Sequence, residues 1–226
     1  FIGYDFTESD VFITRYREVN SKDNTFYHLV FNFTPFYPEG GGQVGDTGYI
    51  DNGKEKLYIA DTKKENDLII HISKDLPSNL TSSFRATINV SKRKLIANNH
   101  TATHLLHQAL REVLGKHVEQ KGSLVNHKYL RFDFSHFEKL SSDQITKIEE
   151  LISSRIRENI PLEESRNIPL NKAKEQGATM LFGEKYGEVV RMIKFGQSVE
   201  LCGGIHVEST SNCLLYTSDA ADERHC

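Results

Sequence analysis

The chain has 226 residues, 38% of them hydrophobic, which is enough for one large or two small domains with a buried core. A formal net charge of -3 argues against a protein that binds nucleic acid through overall positive charge. No apolar run is long enough to cross a bilayer, so no membrane partner is expected. Three cysteines in no regular spacing argue against a disulfide framework and indicate a cytoplasmic protein.

Residues 1–90 are predicted to form a small antiparallel β-barrel-like domain. Five runs rich in aromatic and β-branched residues recur at short intervals, with turn residues between them. They are Val11–Tyr16, Phe26–Phe33, Leu57–Ala60, Leu68–Ile72 and Phe84–Val90. Short strands at such spacing are typical of a small barrel or a strongly curved sheet.

A glycine-rich stretch, Thr34–Gly48, interrupts this pattern with five glycines and two prolines. One interpretation is a wide turn that closes the barrel. The other is a loop whose glycines let the backbone approach a ligand closely, with N–H groups available to oxygen atoms. It is not a Walker loop, because no Lys-Ser or Lys-Thr pair follows it.

A short basic run precedes the next predicted helix. Lys92, Arg93 and Lys94 form the clearest positive patch of the chain. On charge alone, a solvated basic face and an RNA-binding patch are equally good interpretations.

The next segment is predicted to be an amphipathic helix capped by Asn98–Asn99 and ended by Gly115. His100 and His104 are one turn apart on such a helix, so both imidazoles can reach a single point. His107 lies close to the same stripe, where a packed or hydrogen-bonded histidine is more common than a metal ligand.

Residues 91–212 are predicted to form an α+β domain in which helices pack on an antiparallel sheet. Its predicted elements are a strand at Leu130–Phe134, a helix capped at Ser141 and stopped by Pro161, a short helix at Asn171–Gln176, and a hairpin joining Thr179–Phe182 to Val189–Phe195. Residues 213–226 continue none of these patterns and are predicted to be a tail, either a frayed end or a non-native artefact of sequence assembly. Because the chain opens with Phe1 rather than Met, we expect a piece of a longer protein.

A second cluster of metal-binding residue types lies about a hundred residues after the first. Cys202 and His206 enclose two glycines, which let the backbone bring a thiolate and an imidazole together. With His100 and His104 they make a nitrogen and sulfur set suited to Zn²⁺. A zinc protease is not expected, because Thr101 stands where the HExxH motif has glutamate.

Six motifs, in this order, resemble the editing region of alanyl-tRNA synthetase, its free-standing AlaX-type relatives, and the second additional domain of threonyl- and alanyl-tRNA synthetases. They are Thr34–Gly48, Asn98–Gly115, Val118–Val125, Leu130–His136, Leu181–Gly187 and Glu200–Val207. Together they cover nearly everything up to Asn212. The sequence departs from the family at Ile205, where the family usually has threonine, and in the tail.

The resemblance implies a cytoplasmic aminoacyl-tRNA deacylase that belongs to an alanine–tRNA ligase and removes serine or glycine wrongly attached to tRNA(Ala). Its partners would be the acceptor end of that tRNA and an upstream aminoacylation domain. That domain, with its ATP and Mg²⁺, would be absent from this chain. Two alternatives stay open, namely a free-standing AlaX-type hydrolase and a structural zinc module that binds RNA.

Residue by residue, the resemblance assigns the zinc ion to the two helical histidines, Cys202 and His206. It assigns Gln120 to the editing pocket. Thr34 and Gln43 of the glycine-rich stretch would line the same pocket and help to recognise a seryl hydroxyl.

Overall fold

The computed structural model describes residues 1–21, 24–180 and 186–213, which divide into two compact units. The first unit contains residues 1–96 and 124–129, and the second contains residues 97–123 and those from 130 onward. The division therefore falls inside a helix, a few residues after the predicted boundary at residue 90. Among the described residues, no helix is long and apolar enough to cross a membrane.

The first unit is built on a closed antiparallel barrel, in which the strand order is β1-β2-β5-β4-β3-β6. The strands are β1 (Glu8–Ser21), β2 (Asn24–Phe31), β3 (Gly48–Asp51), β4 (Lys56–Glu65), β5 (Leu68–Ser73) and β6 (Ser83–Ile88). The barrel interior is filled by apolar side chains of these strands, including Val11, Leu29, Ile50, Ile59 and Phe84. The five predicted strands are confirmed. The short β3 was missed because it follows directly on the glycine-rich stretch.

The glycine-rich stretch joins β2 to β3 through a tight turn. Gly41 and Gly42 have positive φ angles of 58° and 80°, and backbone hydrogen bonds join the residues on either side of them. At Gly45 a Cβ atom would lie only 2.0 Å from the backbone oxygen of Thr62. Gly45 thus serves close approach to the barrel's own backbone, and Gly41 and Gly42 serve the turn itself, which favours the interpretation of a turn that closes the barrel.

Helix α1 (Val90–Leu114) links the two units. It begins earlier than predicted, because the side-chain oxygen of Asn89 accepts a hydrogen bond from the Lys92 backbone N–H and caps the helix there. The predicted start at Asn98–Asn99 is therefore wrong, since nothing between Asn89 and these residues interrupts a helix. The predicted end is confirmed, and Gly115 adopts a positive φ of 115°.

The remaining elements combine helices with antiparallel strands, as predicted for an α+β region. They are β7 (Gln120–Val125), β8 (Leu130–Phe134), α2 (Ser142–Arg157), β9 (Glu163–Pro169), α3 (Leu170–Glu175), β10 (Val189–Phe195), β11 (Ser198–Leu201) and a 3₁₀ turn (Thr210–Asn212). Strands β7 and β8 pair with each other, and β11-β10-β9 form a three-stranded sheet. Ser141 caps α2 in a capping box with Gln144, so the predicted cap is confirmed.

The predicted hairpin around Gly183–Gly187 differs from the structure. Strand β10 pairs with β9 and β11, and Thr179 instead forms an isolated parallel bridge with Glu200. Residues 181–185 and the tail from residue 214 lie outside the described residues. The core of the second unit is formed by α1, α2 and β10, with Leu105, Leu110, Ile148, Ile152 and Phe195 among its buried side chains.

Candidate metal centre

The four predicted metal ligands meet in the second unit. His100, His104, Cys202 and His206 each offer one donor atom, and these atoms all lie within 4.8 Å of one another. The Cys202 Sγ is 3.5 Å from His100 Nε2 and 3.4 Å from His206 Nε2. Both helical histidines are buried, whereas Cys202 and His206 are half-buried. Three imidazoles and one thiol around a common centre match the donor set of a tetrahedral zinc site.

Each half of the cluster is positioned by a different element. His100 and His104 stand one turn apart on α1, so the helix itself places their rings on one face. Cys202 follows directly on the last residue of β11. Its Sγ accepts a hydrogen bond of 3.3 Å from the backbone N–H of Gly204, which folds the chain back towards His206.

Arg191 of β10 holds the glycine turn in place. Its Nη1 donates to the backbone oxygens of Cys202 and Gly204, at 2.9 and 2.6 Å. Its Nε donates to Glu164 Oε1 at 2.6 Å, which anchors the guanidinium on the neighbouring strand β9. The side chain of Arg191 is only 10% exposed, so these charge-assisted hydrogen bonds are largely shielded from water.

Two further contacts surround the ligand histidines. The Thr101 hydroxyl lies 3.1 Å from His206 Nδ1 and accepts a hydrogen bond from the Val207 backbone N–H. Glu200 of β11 lies 3.1 Å from His107 Nδ1 through one oxygen and 3.7 Å from His104 Nε2 through the other. The predicted hydrogen bonding of His107 is therefore confirmed.

Burial sets the protonation of this cluster. It lowers the pKa of His100 and of His206 well below the ordinary value, and it also lowers the pKa of His104. Burial works to raise the pKa of Glu200, but His104 and His107 outweigh it and hold that pKa below its usual range. The imidazoles are thus neutral at neutral pH, which is the form that binds a metal ion.

The predicted pocket residues are divided between the two units. Gln120 opens β7 in the second unit, where it is half-buried and donates to Ser123 Oγ at 3.0 Å. Gln43 lies in the barrel unit, fully buried beside the tight glycine turn. Its backbone oxygen accepts a hydrogen bond from Gly40.

Thr34 has an internal role in the barrel. Its hydroxyl lies 2.8 Å from His71 Nε2 and accepts a hydrogen bond of 3.0 Å from the Phe36 backbone N–H. Because His71 Nδ1 donates to the backbone oxygen of Leu29, its Nε2 is the acceptor of the Thr34 proton. These buried contacts occupy the Thr34 hydroxyl, and its predicted contact with a seryl group stays a prediction.

The three basic residues at the start of α1 differ in their exposure to solvent. Arg93 is buried, and its guanidinium pairs with the Asp46 carboxylate and donates to the backbone oxygens of Gly3 and Pro35, each at 2.7 Å. These internal partners use the charge and the donors of Arg93, and its predicted RNA contact stays a prediction. Lys94 is exposed and Lys92 is half-buried, so the prediction remains for these two lysines.

Three residues around the ligands were given no role in the sequence analysis. Thr101 follows His100 directly, and Glu200 lies two residues before Cys202, so their places in the two ligand motifs could have indicated a contact with the site. Arg191 lies eleven residues before Cys202 and reaches the glycine turn only because β10 pairs with β11, a register that the sequence does not reveal.

Two family models match the chain. The model of class II (A) tRNA synthetases matches residues 1–93, in the barrel unit. The model described as the threonyl and alanyl tRNA synthetase second additional domain matches residues 190–214, which include Cys202 and His206.

Curated relatives match along almost the whole chain. The alanine–tRNA ligases of Bacteroides fragilis and Bacteroides thetaiotaomicron are each 56% identical over 212 residues, covering 94% of this chain and 24% of the relative. That of Christiangramia forsetii is 56% identical over 214 residues, covering 94% of this chain and 25% of the relative. The chain thus spans about a quarter of the length of these relatives. Family models and relatives agree that the chain is homologous to a segment of the alanyl-tRNA synthetase family.

Proposed function

We propose that this chain is the editing segment of an alanine–tRNA ligase and hydrolyses the ester of Ser-tRNA(Ala) or Gly-tRNA(Ala). The single observation that carries the proposal is the convergence of His100, His104, Cys202 and His206 within 4.8 Å. The homology to alanine–tRNA ligases supports the tRNA as substrate. A cytoplasmic location, with ATP and Mg²⁺ serving only the aminoacylation module, follows from the same proposal.

The chemistry requires attack of water on the ester carbonyl and stabilisation of the negative charge that develops on its oxygen. A zinc ion bound to this donor set would supply a Lewis acid for that charge. His100, His104, Cys202 and His206 would complete a tetrahedral site, so the bound ion would supply positive charge near the ester, while the attacking water would lie nearby rather than on the ion. A ligating Nε2 on His206 leaves the ring proton on Nδ1, where it donates to Thr101 and fixes the ring.

Other residues of the chain would bind and select the substrate. We propose Gln120 and Gln43 as pocket residues, and the exposed Lys94 with Lys92 as contacts for tRNA phosphates. A buried polar group that hydrogen-bonds the seryl hydroxyl would favour serine over alanine, which lacks that hydroxyl. Glycine offers no such group, and a hydrolytic site that only small aminoacyl groups enter would act on it as a second sieve.

The experiment is deacylation of Ser-tRNA(Ala) and Ala-tRNA(Ala) by the chain, before zinc removal, after removal and after zinc is restored. We expect hydrolysis of the seryl ester that is lost with zinc and returns with it, with little hydrolysis of the alanyl ester. A seryl ester that stays intact at saturating tRNA, in the presence of stoichiometric zinc, would reject the editing role.

A structural zinc module that binds RNA is the second candidate, favoured by the closed, four-donor set. It predicts that zinc removal unfolds the second unit, while the zinc-loaded chain binds tRNA without hydrolysing it. The deacylation experiment, combined with a filter-binding measurement of tRNA affinity, separates the two functions.

Participation in aminoacylation is the third candidate, favoured by the class II synthetase match over residues 1–93. ATP-dependent activation of alanine needs cationic groups for the triphosphate. An open cleft on the barrel has Arg85 in its lining, but Arg85 is paired with Glu8 and Asp10. Exchange of pyrophosphate into ATP in the presence of alanine tests this candidate, and we expect none from this chain.

A further inference from the structure

Glu200 is a buried carboxylate that lies between two histidines of α1. Its side chain is 8% exposed. One oxygen is 3.1 Å from His107 Nδ1, and the other is 3.7 Å from His104 Nε2. A buried anion is costly unless charged or hydrogen-bonding groups compensate it. His107 accounts for one of the two oxygens, and the other faces a proposed metal ligand.

The charge of the proposed site explains why an anion should lie there. One thiolate and three neutral imidazoles leave one unit of positive charge on a divalent ion. Because His100 and His104 are buried, water can screen that charge only weakly. A carboxylate beside His104 offsets it, and a buried centre that is neutral as a whole costs far less to form.

Glu200 also connects the two elements that carry the proposed ligands, β11 and α1. Strand β11 carries Glu200 two residues before Cys202, so the element that delivers the thiolate also delivers the carboxylate. That carboxylate contacts α1, the helix that delivers His100 and His104. Metal-binding histidines commonly have a carboxylate partner that fixes the ring orientation, and Glu200 approaches His104 Nε2 to 3.7 Å, which is ion-pair range rather than hydrogen-bond length.

We propose that Glu200 is a positioning residue of the metal centre, where it offsets the charge of the bound ion and holds the His104 ring in its binding orientation. It does not itself bind the ion. His107 anchors the second oxygen and so sets the direction of the carboxylate. This inference rests on the metal site of the proposed function, but not on the hydrolytic activity.

A purely structural role makes a different prediction. If Glu200 only ties β11 to α1 through His107, its replacement lowers the folding stability of the metal-free chain and leaves the intrinsic affinity for zinc unchanged. If Glu200 positions the ligand, affinity falls whatever happens to the metal-free stability.

The test is the zinc affinity of the chain, measured by competition with a chromophoric chelator. For Glu200→Gln, which keeps the shape and removes the charge, we expect affinity to fall by about 10- to 100-fold. The matched control is Glu163→Gln, because Glu163 is an exposed carboxylate of the same unit that pairs with Lys194 at 3.0 Å. We expect the control to bind zinc with wild-type affinity.

Cobalt substitution gives a readout that a structural role would not move. We expect the visible absorption of the Co²⁺-loaded Glu200→Gln chain to shift from that of the wild type, while the Glu163→Gln spectrum stays unchanged. Wild-type zinc affinity together with an unshifted cobalt spectrum for Glu200→Gln would overturn the inference.

If Glu200→Gln does not fold, Glu200→Asp takes its place, since it keeps the charge and withdraws it from His104 by one methylene. We then expect a smaller loss of zinc affinity, about 3- to 10-fold, with a shifted cobalt spectrum. Unchanged affinity and spectrum in this variant would equally overturn the inference. Absence of zinc binding by the wild type would instead remove the metal site of the proposed function.

Discussion

Each of the two units buries a histidine-centred polar cluster, and the two clusters differ in where the imidazole nitrogens point. In the barrel unit, His71 uses one nitrogen to donate to the Leu29 backbone oxygen and the other to accept from the Thr34 hydroxyl. Its ring also stacks on Phe31, with centroids 3.9 Å apart. In the second unit, three imidazoles converge on one another and on the Cys202 thiol.

The comparison separates a structural histidine from a ligand. A neutral imidazole has one donor and one acceptor, and His71 satisfies both with protein groups, so it has nothing left to offer a metal ion. The second cluster instead directs several lone pairs at one point, an arrangement with no structural benefit until a cation occupies it. Burial alone therefore does not identify a site, whereas the direction of the nitrogens does.

The largest effect is expected at the thiol that completes the second cluster. Cys202→Ala removes the only anionic ligand of the set, so we expect loss of stoichiometric zinc and a fall in Ser-tRNA(Ala) hydrolysis of at least about 100-fold. Zinc is measured by mass spectrometry after gel filtration. The control is Cys213→Ala, because Cys213 is a buried thiol of the same unit whose Sγ contacts the Asn98 backbone oxygen. Equal zinc in both variants would contradict the ligand assignment.

Substitution in the barrel cluster should lower the stability of the chain and leave its zinc content unchanged. His71→Phe leaves the Leu29 oxygen and the Thr34 hydroxyl without their buried partner, so we expect the free energy of unfolding to fall by roughly 2–4 kcal/mol. Chemical denaturation, followed by a barrel-specific probe, measures this loss. The half-buried His28, changed to Phe, is the control and should cost less than about 1 kcal/mol. A loss of zinc in His71→Phe would contradict the claim that the barrel histidine has no part in metal binding.

The stability of the barrel should depend on pH through the same histidine, His71. Burial lowers the pKa of His71 from 6.5 to about 3. Between these two pH values, His71 is therefore protonated in the unfolded chain and neutral in the folded barrel. The contribution to stability is thus complete above pH 6.5 and is lost as pH falls towards 3, at about 1.4 kcal/mol per pH unit. We expect the stability difference between wild type and His71→Phe to shrink over this range. If the stability difference between wild type and His71→Phe stays constant between pH 7 and pH 4, His71 takes up its proton in the folded barrel as readily as in the unfolded chain, which would contradict the lowered pKa.

The smallest effect is expected at the arginine behind the glycine turn. Arg191→Met removes the hydrogen bonds to the Cys202 and Gly204 oxygens, so the turn that presents the thiolate loosens and zinc affinity falls by about 10-fold. Arg166→Met is the matched control, because Arg166 pairs with the same Glu164 oxygen but is 40% exposed. Chelator competition measures both variants, and equal affinities would show that the turn does not depend on Arg191.

Local patterns predicted the parts of the fold that depend on neighbouring residues. The cap at Ser141 depends only on residues of the first helical turn, and it is confirmed. The four residues of the candidate metal site were identified for a similar reason, since a four-residue helical spacing and a two-glycine turn are each local. Strand β9 was missed because its sequence is mostly polar and lacks the usual alternation.

Long-range partners explain what the local sequence did not reveal. Local patterns gave no sign that Arg93 would be buried beside Asp46, or that β5 would place His71 beside Thr34. Nothing local distinguishes such a residue from an exposed one, because its partner lies 47 or 37 positions away. The same limit hid Glu200, whose histidine partners lie on a helix about a hundred residues earlier.

The central claim, that one thiolate and three imidazoles share an ion, is tested most directly by X-ray absorption at the zinc edge of the loaded chain. We expect one sulfur neighbour at about 2.3 Å and three nitrogen neighbours at about 2.0 Å. A first coordination shell with no sulfur, or with two, would contradict this ligand set.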